Sequence, residues 1–306
     1  MASWQARCLS TAVRAVVRRR DWGREQTLAR RARRVFGVPA PVRALAVREV
    51  AIEPIATDRL RGEWLRPRRT AGAAPAAPVV MYIHGGGYVA CSAATHRPIT
   101  AALARLSGYP VCSINYRLAP EHRYPAALDD AVAAYRALLE KNIPPSSIAL
   151  AGDSAGGGLV LGVLLRARAS GLPLPACAAC LSPWTDLVGT GASAQGNDGK
   201  CAMFRPENLE AFATAYLAGA SPRDPLVSPV FAEMNGLPPL LFQVGSTELL
   251  LDDARRVHER VLQAGGTSRL TVYDDVPHCW QMLVGVVPEA DAALEEIAAF
   301  FRGHLH

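Results

Sequence analysis

Residues 148–160, IALAGDSAGGGLV, constrain the fold of this chain more than any other stretch. Ile148 to Ala151 is the apolar run of a buried strand, and the small residues after Ser154 can start a helix. Between them lies Gly152-Asp153-Ser154-Ala155-Gly156, the G-x-S-x-G pattern in its strand–turn–helix context. So sharp a turn strains the serine backbone, and glycines must flank it where other chain passes close. The hydroxyl is pushed out at the carboxyl edge of a sheet. The helix N-terminus behind it offers the Ala155 N–H to a developing negative charge. A chance Gly-Ser-Gly turn is the competing reading of the pentapeptide alone.

Strands and helices alternate around this point. Val79 to Ile83 reads as a buried strand that runs into His84-Gly85-Gly86-Gly87-Tyr88. Three glycines there are costly unless the backbone itself must approach something, such as a substrate oxygen. A phosphate loop would need a Lys and a Ser or Thr that are missing. Helices are expected over Ala101 to Ser107, Ala126 to Lys141 and from the elbow to Ala169, with strands at 110–115 and 176–181. Residues 240–244 and 268–273 read as further strands, and helices cover Asp252 to Ala264 and Glu289 to Phe301. Such alternation predicts a mostly parallel sheet covered on both faces by helices. Residues 45–66 alternate apolar and polar, which predicts an antiparallel pair at the sheet edge, and 71–78 reads as a small-residue connection. The polar, Gly-rich stretch and helix within about 187–225 interrupt the pattern, and an insertion there would lie over Ser154.

Charge is unevenly spread. Residues 1–34 hold ten arginines against Asp21 and Glu25, a net +8 that leaves −2 for the rest of a chain totalling +6. Trp4, Leu9, Val13, Val16, Val17 and Leu28 recur among them as two basic amphipathic helices broken near residues 21–23. Helices packed as part of a cap are the favoured reading. A disordered tail, a transit peptide or membrane-surface binding are the alternatives. No apolar run is long enough to span a bilayer, so no stable membrane insertion is expected. Seven cysteines without framework spacing suit a reducing compartment, hence a cytoplasmic location. Cys177 and Cys180 form a lone C-x-x-C inside a predicted strand and read as core residues; no metal site is expected.

The motifs together resemble the hormone-sensitive-lipase-like family of α/β-hydrolase esterases, from about residue 45 to the end. His84-Gly-Gly-Gly87, Tyr116-Arg-Leu-Ala-Pro-Glu121 and Gly152-Asp-Ser-Ala-Gly156 occur in the family's order. Ser182-Pro-Trp-Thr-Asp-Leu187 and the segment Glu248 to Asp253 look like its later landmarks. The resemblance implies an α/β-hydrolase fold with an eight-stranded sheet. It also implies a helical cap, made here of residues 1–44 and the insertion at about 187–225, over a catalytic domain of 45–306. The implied activity is hydrolysis of short- to medium-chain carboxylic esters, small-molecule substrates, with no cofactor. A homodimer is a weak expectation from the same source.

Serine needs a base, and the base an orienting acid, in the chain order serine, acid, histidine. After Ser154 come only His258, His278, His304 and His306. His304 and His306 sit at the terminus, and His258 lies among arginines in a predicted helix, as a surface residue would. His278, on the loop after the last strand, remains as the general base. Glu248 is favoured as the acid from its place in the motif. Asp252 is the other candidate, although it reads equally as a helix N-cap. The resemblance places the oxyanion donors at Gly86 and Gly87, beside Ala155. Asp153 is assigned to holding the elbow, and His84 to positioning the glycine loop. Arg117, Glu121 and Asp129 are expected to form a buried charge network. Tyr88, Trp184, Met203, Phe204 and Trp280 are candidate substrate-pocket residues, or else core aromatics.

The same residues bear on other functional classes. A receptor of this fold would be expected to lose a triad member, yet all three survive. Lactones, amides and N-acetyl groups share the same acyl chemistry, so motifs do not separate them from esters. Nucleic-acid binding has only the arm's charge behind it and is not expected.

Overall fold

The computed structural model describes residues 2–20, 22, 25–36, 47–57, 60–68 and 78–306. Residues 21 and 23 of the expected break, the 44/45 boundary and most of the connection at 71–78 lie outside the described residues. Eight strands form one sheet: β1 Val50–Ala56, β2 Arg61–Pro67, β3 Val79–Ile83, β4 Val111–Ile114, β5 Ile148–Asp153, β6 Cys177–Leu181, β7 Leu240–Gly245 and β8 Ser268–Tyr273. Their order is β1-β2-β4-β3-β5-β6-β7-β8. β2 is antiparallel to both neighbours, and every pair from β4 to β8 is parallel. The alternating segment at 45–66 therefore pairs at the edge, and the continuously apolar strands lie in the middle, covered on both faces.

Alternation within those central strands divides the core. Ile148 and Leu150 face one apolar cluster, with helices Ala126–Glu140, Ala155–Ala169 and Leu251–Gln263. Ala149 and Ala151 face another, with helices Arg97–Ser107 and Pro288–His304. Cys177 and Cys180, three apart in a strand, fall on opposite faces and are free and buried.

The N-terminal segment packs against the insertion. Helix Trp4–Val13 runs on through a π-helical turn, Arg14–Arg18, and a second helix spans Glu25–Val35. Arg14 donates to the Gly199 and Lys200 carbonyls at 2.7 Å each. Arg18 donates to the Phe204 carbonyl and to Asp198. Trp22 and Phe36 pack against Phe212 of helix Pro206–Leu217, and Phe36 also meets Phe204.

The expected buried network of Arg117, Glu121 and Asp129 does not form. Arg117 pairs with Asp130 (2.7 Å), Glu121 with Arg33 (2.6 Å) and Asp129 with Arg166 (3.5 Å), all at the surface. The turn after β4 carries Arg117 out to the exposed face of the following helix, where Asp130 lies. His258 is half-buried and bonds Ser268 Oγ at 2.8 Å rather than pointing freely into solvent.

Candidate active site

Ser154 sits between β5 and helix Ala155–Ala169 with φ +53° and ψ −123°, a conformation that L-residues rarely adopt. The turn is held on both sides. The Ser154 N–H donates to Leu181 O (2.8 Å), and its carbonyl accepts from Trp184 N (2.9 Å) and Gly158 N (3.2 Å). The motif glycines are dictated by space. A Cβ on Gly156 would lie 2.1 Å from the Ile83 carbonyl oxygen, and one on Gly152 would lie 2.5 Å from Gly156 O. β3 and the elbow helix thus approach backbone to backbone, which only glycine permits.

The loops after β7 and β8 bring an acid and a histidine to this serine. His278 Nε2 lies 2.9 Å from Ser154 Oγ. Its Nδ1 lies 2.5 Å from Glu248 Oε2. The other carboxylate oxygen, Oε1, accepts from Gly245 N (2.6 Å) and Ser182 Oγ (2.7 Å). Asn197 Nδ2 donates to the Glu248 carbonyl at 2.8 Å, so the insertion supports the acid's backbone. All three side chains are buried, and only Ser154 and His278 retain slight exposure. A carboxylate fixed by two donors orients Nδ1–H toward itself and leaves Nε2 as the acceptor for the serine proton.

Asp252 is not brought to His278. It accepts from Ser193 N (2.8 Å) and faces Arg255. Nor is it the helix N-cap, since the helix starts at Leu251 with Leu250 in that position. The sequence boundary was one residue late, which puts Asp252 in the first turn, where its charge still favours the helix dipole.

The glycine loop lies opposite. Gly86 has φ +116° and Gly87 +60°, both in the region that favours glycine. His84 Nδ1 donates to Gly85 O at 2.7 Å, and Gly86 O accepts from Val89 N and Ala90 N. In a trans peptide the N–H points opposite to the carbonyl, so the Gly86 and Gly87 N–H groups turn away from those bonds. Among the described residues nothing accepts from the N–H of Gly86, Gly87 or Ala155. Both glycines line the hollow at Ser154.

Asp153 ties the elbow to that loop. Its Oδ1 accepts from Gly85 N (3.0 Å) and Tyr82 Oη (2.7 Å), and His96 Nε2 lies 3.1 Å from Oδ2. Burial alone would raise this carboxyl, but the charge and hydrogen bond of His96, with Tyr82 and Gly85, hold it well below the usual carboxylate range. Burial pushes His84 down to about 3, helped by the neighbouring His96. His84 is therefore neutral at ordinary pH, and it stacks on Tyr116 at 4.3 Å between ring centroids.

The hollow over Ser154 measures about 70 Å³ and is lined by Phe36, Met203, Phe204, Met282, Cys91 and Cys279 besides the site residues. Met203 and Phe204 are where the sequence places them. Three other pocket candidates are not. Tyr88 is buried and stacks on Tyr216 at 3.8 Å. Trp184 lines a separate cavity of about 460 Å³ along helix Pro206–Leu217. Trp280 packs on Tyr273 in an apolar cluster with Ala2 and Ala6, its Nε1 donating to Glu289 O. Each aromatic follows a site-bearing strand in sequence, but packing turns it away from Ser154, Trp184 toward its own cavity and the other two into the core. Sequence reasoning missed the roles of His96, Asn197 and Phe36, which lie in no recognisable motif, and of Ser182, which heads the Ser182–Leu187 landmark but was given no bond to Glu248. Among the described residues no group of three His, Cys, Asp or Glu side chains could hold a metal ion.

Residues 80–282 match a family model described as alpha/beta hydrolase fold. An acetyl-hydrolase of Streptomyces hygroscopicus is 43% identical over 240 residues, 78% of this chain and 79% of that protein. An esterase of Acinetobacter venetianus is 38% identical over 252 residues, 82% of each. A solved esterase of the bacterial hormone-sensitive lipase family superposes with a TM-score of 0.87 at 38% identity over the full length of both chains.

Proposed function

The chain belongs to the α/β-hydrolase fold family, in its hormone-sensitive-lipase-like esterase branch, and on that premise we propose that this carboxylic ester hydrolase works through an acyl-enzyme on Ser154. The observation that carries the proposal is the relay Ser154 Oγ–His278 Nε2 (2.9 Å) and His278 Nδ1–Glu248 Oε2 (2.5 Å).

His278 Nε2 takes the Ser154 proton as Oγ attacks the ester carbonyl carbon. The carbonyl π electrons move to oxygen, and the oxyanion is met by the N–H groups of Gly86, Gly87 and Ala155. Each such donor contributes about 3 kcal/mol to lowering the barrier. Glu248 keeps the imidazole in its tautomer and stabilises the imidazolium without taking its proton. The intermediate collapses, the carbon–oxygen bond to the alcohol breaks, and His278 gives its proton to the leaving alkoxide. Water then repeats the sequence on the acyl-serine, releasing the acid and restoring Ser154.

Residues 1–44 and the insertion at about 187–225 are proposed as a cap whose Phe36, Met203 and Phe204 roof the site. The roof leaves about 70 Å³, which favours short acyl groups, acetyl foremost, over the medium chains also admitted from sequence. The name of the Streptomyces hygroscopicus relative agrees with an acetyl group as the transferred unit, on oxygen or on nitrogen. The odd cysteine count supports the cytoplasm as the compartment. Among the described residues no helix is long and apolar enough to cross a membrane. The test is hydrolysis of p-nitrophenyl esters from acetate to palmitate beside N-acetyl amides, for wild type and Ser154→Ala. Ester turnover that vanishes in Ser154→Ala supports the proposal, and undiminished turnover in that variant refutes it.

A further inference from the structure

The N-terminal helix carries a face that ester hydrolysis does not use. Residues 1–20 contain five arginines and no acidic residue. Two of the five turn inward, Arg14 and Arg18, and anchor the helix to carbonyls at 199, 200 and 204 and to Asp198. At the start of the helix Glu289 accepts from Ser3 N and Oγ. The acids bonded to this segment, Asp198 and Glu289, are thus engaged on its inner side.

The outer side is different. Positions 4, 7, 8, 11, 12, 15, 16, 19 and 20 are exposed. Spacings of three and four put positions 4 to 16 on one stripe along the helix and its π-helical turn, and positions 19 and 20 follow in the turn at its end. Trp4 is 72% exposed and Val16 55%, two of the five large apolar side chains so exposed among the described residues. Arg7 stands on the same stripe and the exposed Arg19 and Arg20 at its end, all three without an acidic ion-pair partner among the described residues. A tryptophan and aliphatic residues between arginines suit the headgroup layer of a bilayer, where the indole sits at the interface and the guanidinium groups meet lipid phosphates. The body of the chain, at −2, would not supply this attraction.

We propose that this stripe docks the enzyme on the surface of an anionic phospholipid bilayer, the helix lying in the headgroup plane. A second copy of the chain fits less well, because a two-fold contact would set arginine stripe against arginine stripe. A nucleic acid would use the arginines but leave Trp4 and Val16 without a role. The inner face of the same helix holds the Phe204 carbonyl, and the Phe204 ring packs against His278 at 5.6 Å. A docked enzyme would therefore hold its catalytic hollow about one helix diameter, roughly 10 Å, from the lipid surface, placed for esters that partition there. That last step rests on the proposed function; the docking itself does not.

The experiment is flotation of the full chain with vesicles of phosphatidylcholine alone or with one-third phosphatidylglycerol. Wild type is compared with Arg7→Glu/Arg19→Glu/Arg20→Glu and with Trp4→Ser. Circular dichroism and turnover of a soluble acetate ester report whether the variants remain folded, since none of these positions touches the site. Wild type should float with the anionic vesicles at low salt and be released as salt rises. The triple variant should lose on the order of a hundredfold in partitioning, given roughly fivefold for each of three charges, and Trp4→Ser several-fold, with soluble-ester turnover unchanged. Failure of wild type to float, equal flotation with phosphatidylcholine alone, or undiminished flotation of the triple variant would overturn the proposal. So would tight duplex DNA binding that displaces vesicles and ignores Trp4→Ser. Absence of esterase activity with flotation intact would count against the proposed function and leave the docking standing.

Discussion

His96 Nε2 lies 3.1 Å from Asp153 Oδ2, and through this buried pair the residue beside the nucleophile is joined to the glycine loop. Asp153 also accepts from Gly85 N, so one carboxylate fixes both the strained turn and the backbone that faces it. Both side chains line the hollow, yet neither hydrogen-bonds Ser154 Oγ, His278 or Glu248. Their effect on catalysis is through position.

Asp153→Asn should therefore lower kcat more than it raises KM, since the ground-state pocket is left intact while the oxyanion donors lose their anchor. The change also weakens a buried hydrogen bond to His96, at a cost of about 1–3 kcal/mol in stability. Steady-state kinetics beside urea unfolding measure both, and a change in KM alone would contradict the positioning role.

Glu248→Gln should drop kcat by about 10⁴, because the amide no longer enforces the tautomer that leaves Nε2 free. Asp252→Ala should leave kcat near wild type, as Asp252 binds Ser193 N and not His278. Turnover of p-nitrophenyl acetate by the two variants decides it, and the reverse result would move the acid to Asp252.

Gly86→Ala places a Cβ 2.3 Å from the Ala90 carbonyl oxygen at a φ of +116°. The loop must shift, and loss of one donor lowers kcat about 10²–10³-fold. Gly108→Ala serves as the comparison, with φ +80° but open space around it, so it should cost stability and not kcat. An active Gly86→Ala would show that the loop does not supply a donor.

The narrow hollow predicts a falling kcat/KM from p-nitrophenyl acetate through butyrate to octanoate. Phe204→Ala should flatten that series, because its ring lies on the hollow against His278. A wild-type optimum at octanoate would contradict the roof as placed.

Stability should fall in acid before the carboxylates titrate. His84 is pushed from an ordinary 6.5 down to about 3 by burial. The unfolded chain therefore binds this proton first. Its contribution is complete above about pH 6.5 and is lost toward pH 3, at up to about 1.4 kcal/mol per pH unit. Asp153, also lowered, adds its own loss only below the ordinary value of 3.8. Urea unfolding from about pH 7 to pH 4 should show the slope in wild type and a shallower one in His84→Gln.

Much of this was legible from the chain because its determinants are local. The elbow needs Gly152 and Gly156 at fixed offsets from Ser154, and the strands beside it are continuous apolar runs. His278 was reached by elimination, since the remaining histidines were terminal or helical. The pocket was not legible. Trp184 and Trp280 follow site-bearing strands just as Glu248 and His278 do, and only tertiary packing decides that one faces another cavity and the other the core. The ion pairs failed for a similar reason. Asp129 and Asp130 are neighbours in sequence but point to different partners on the helix, Asp130 to Arg117 and Asp129 to Arg166. His96 had no signature, because its partner Asp153 is 57 residues away.

The central claim is an acyl group carried on Ser154. Mixing the enzyme with p-nitrophenyl acetate, quenching in acid within the first turnovers and mapping the digest by mass spectrometry tests it most directly. One added acetyl group is expected on the peptide that holds Ser154, absent in Ser154→Ala and accumulating in the slow Glu248→Gln variant. Steady release of p-nitrophenol with no acetyl on that peptide, or retained turnover in Ser154→Ala, would contradict it.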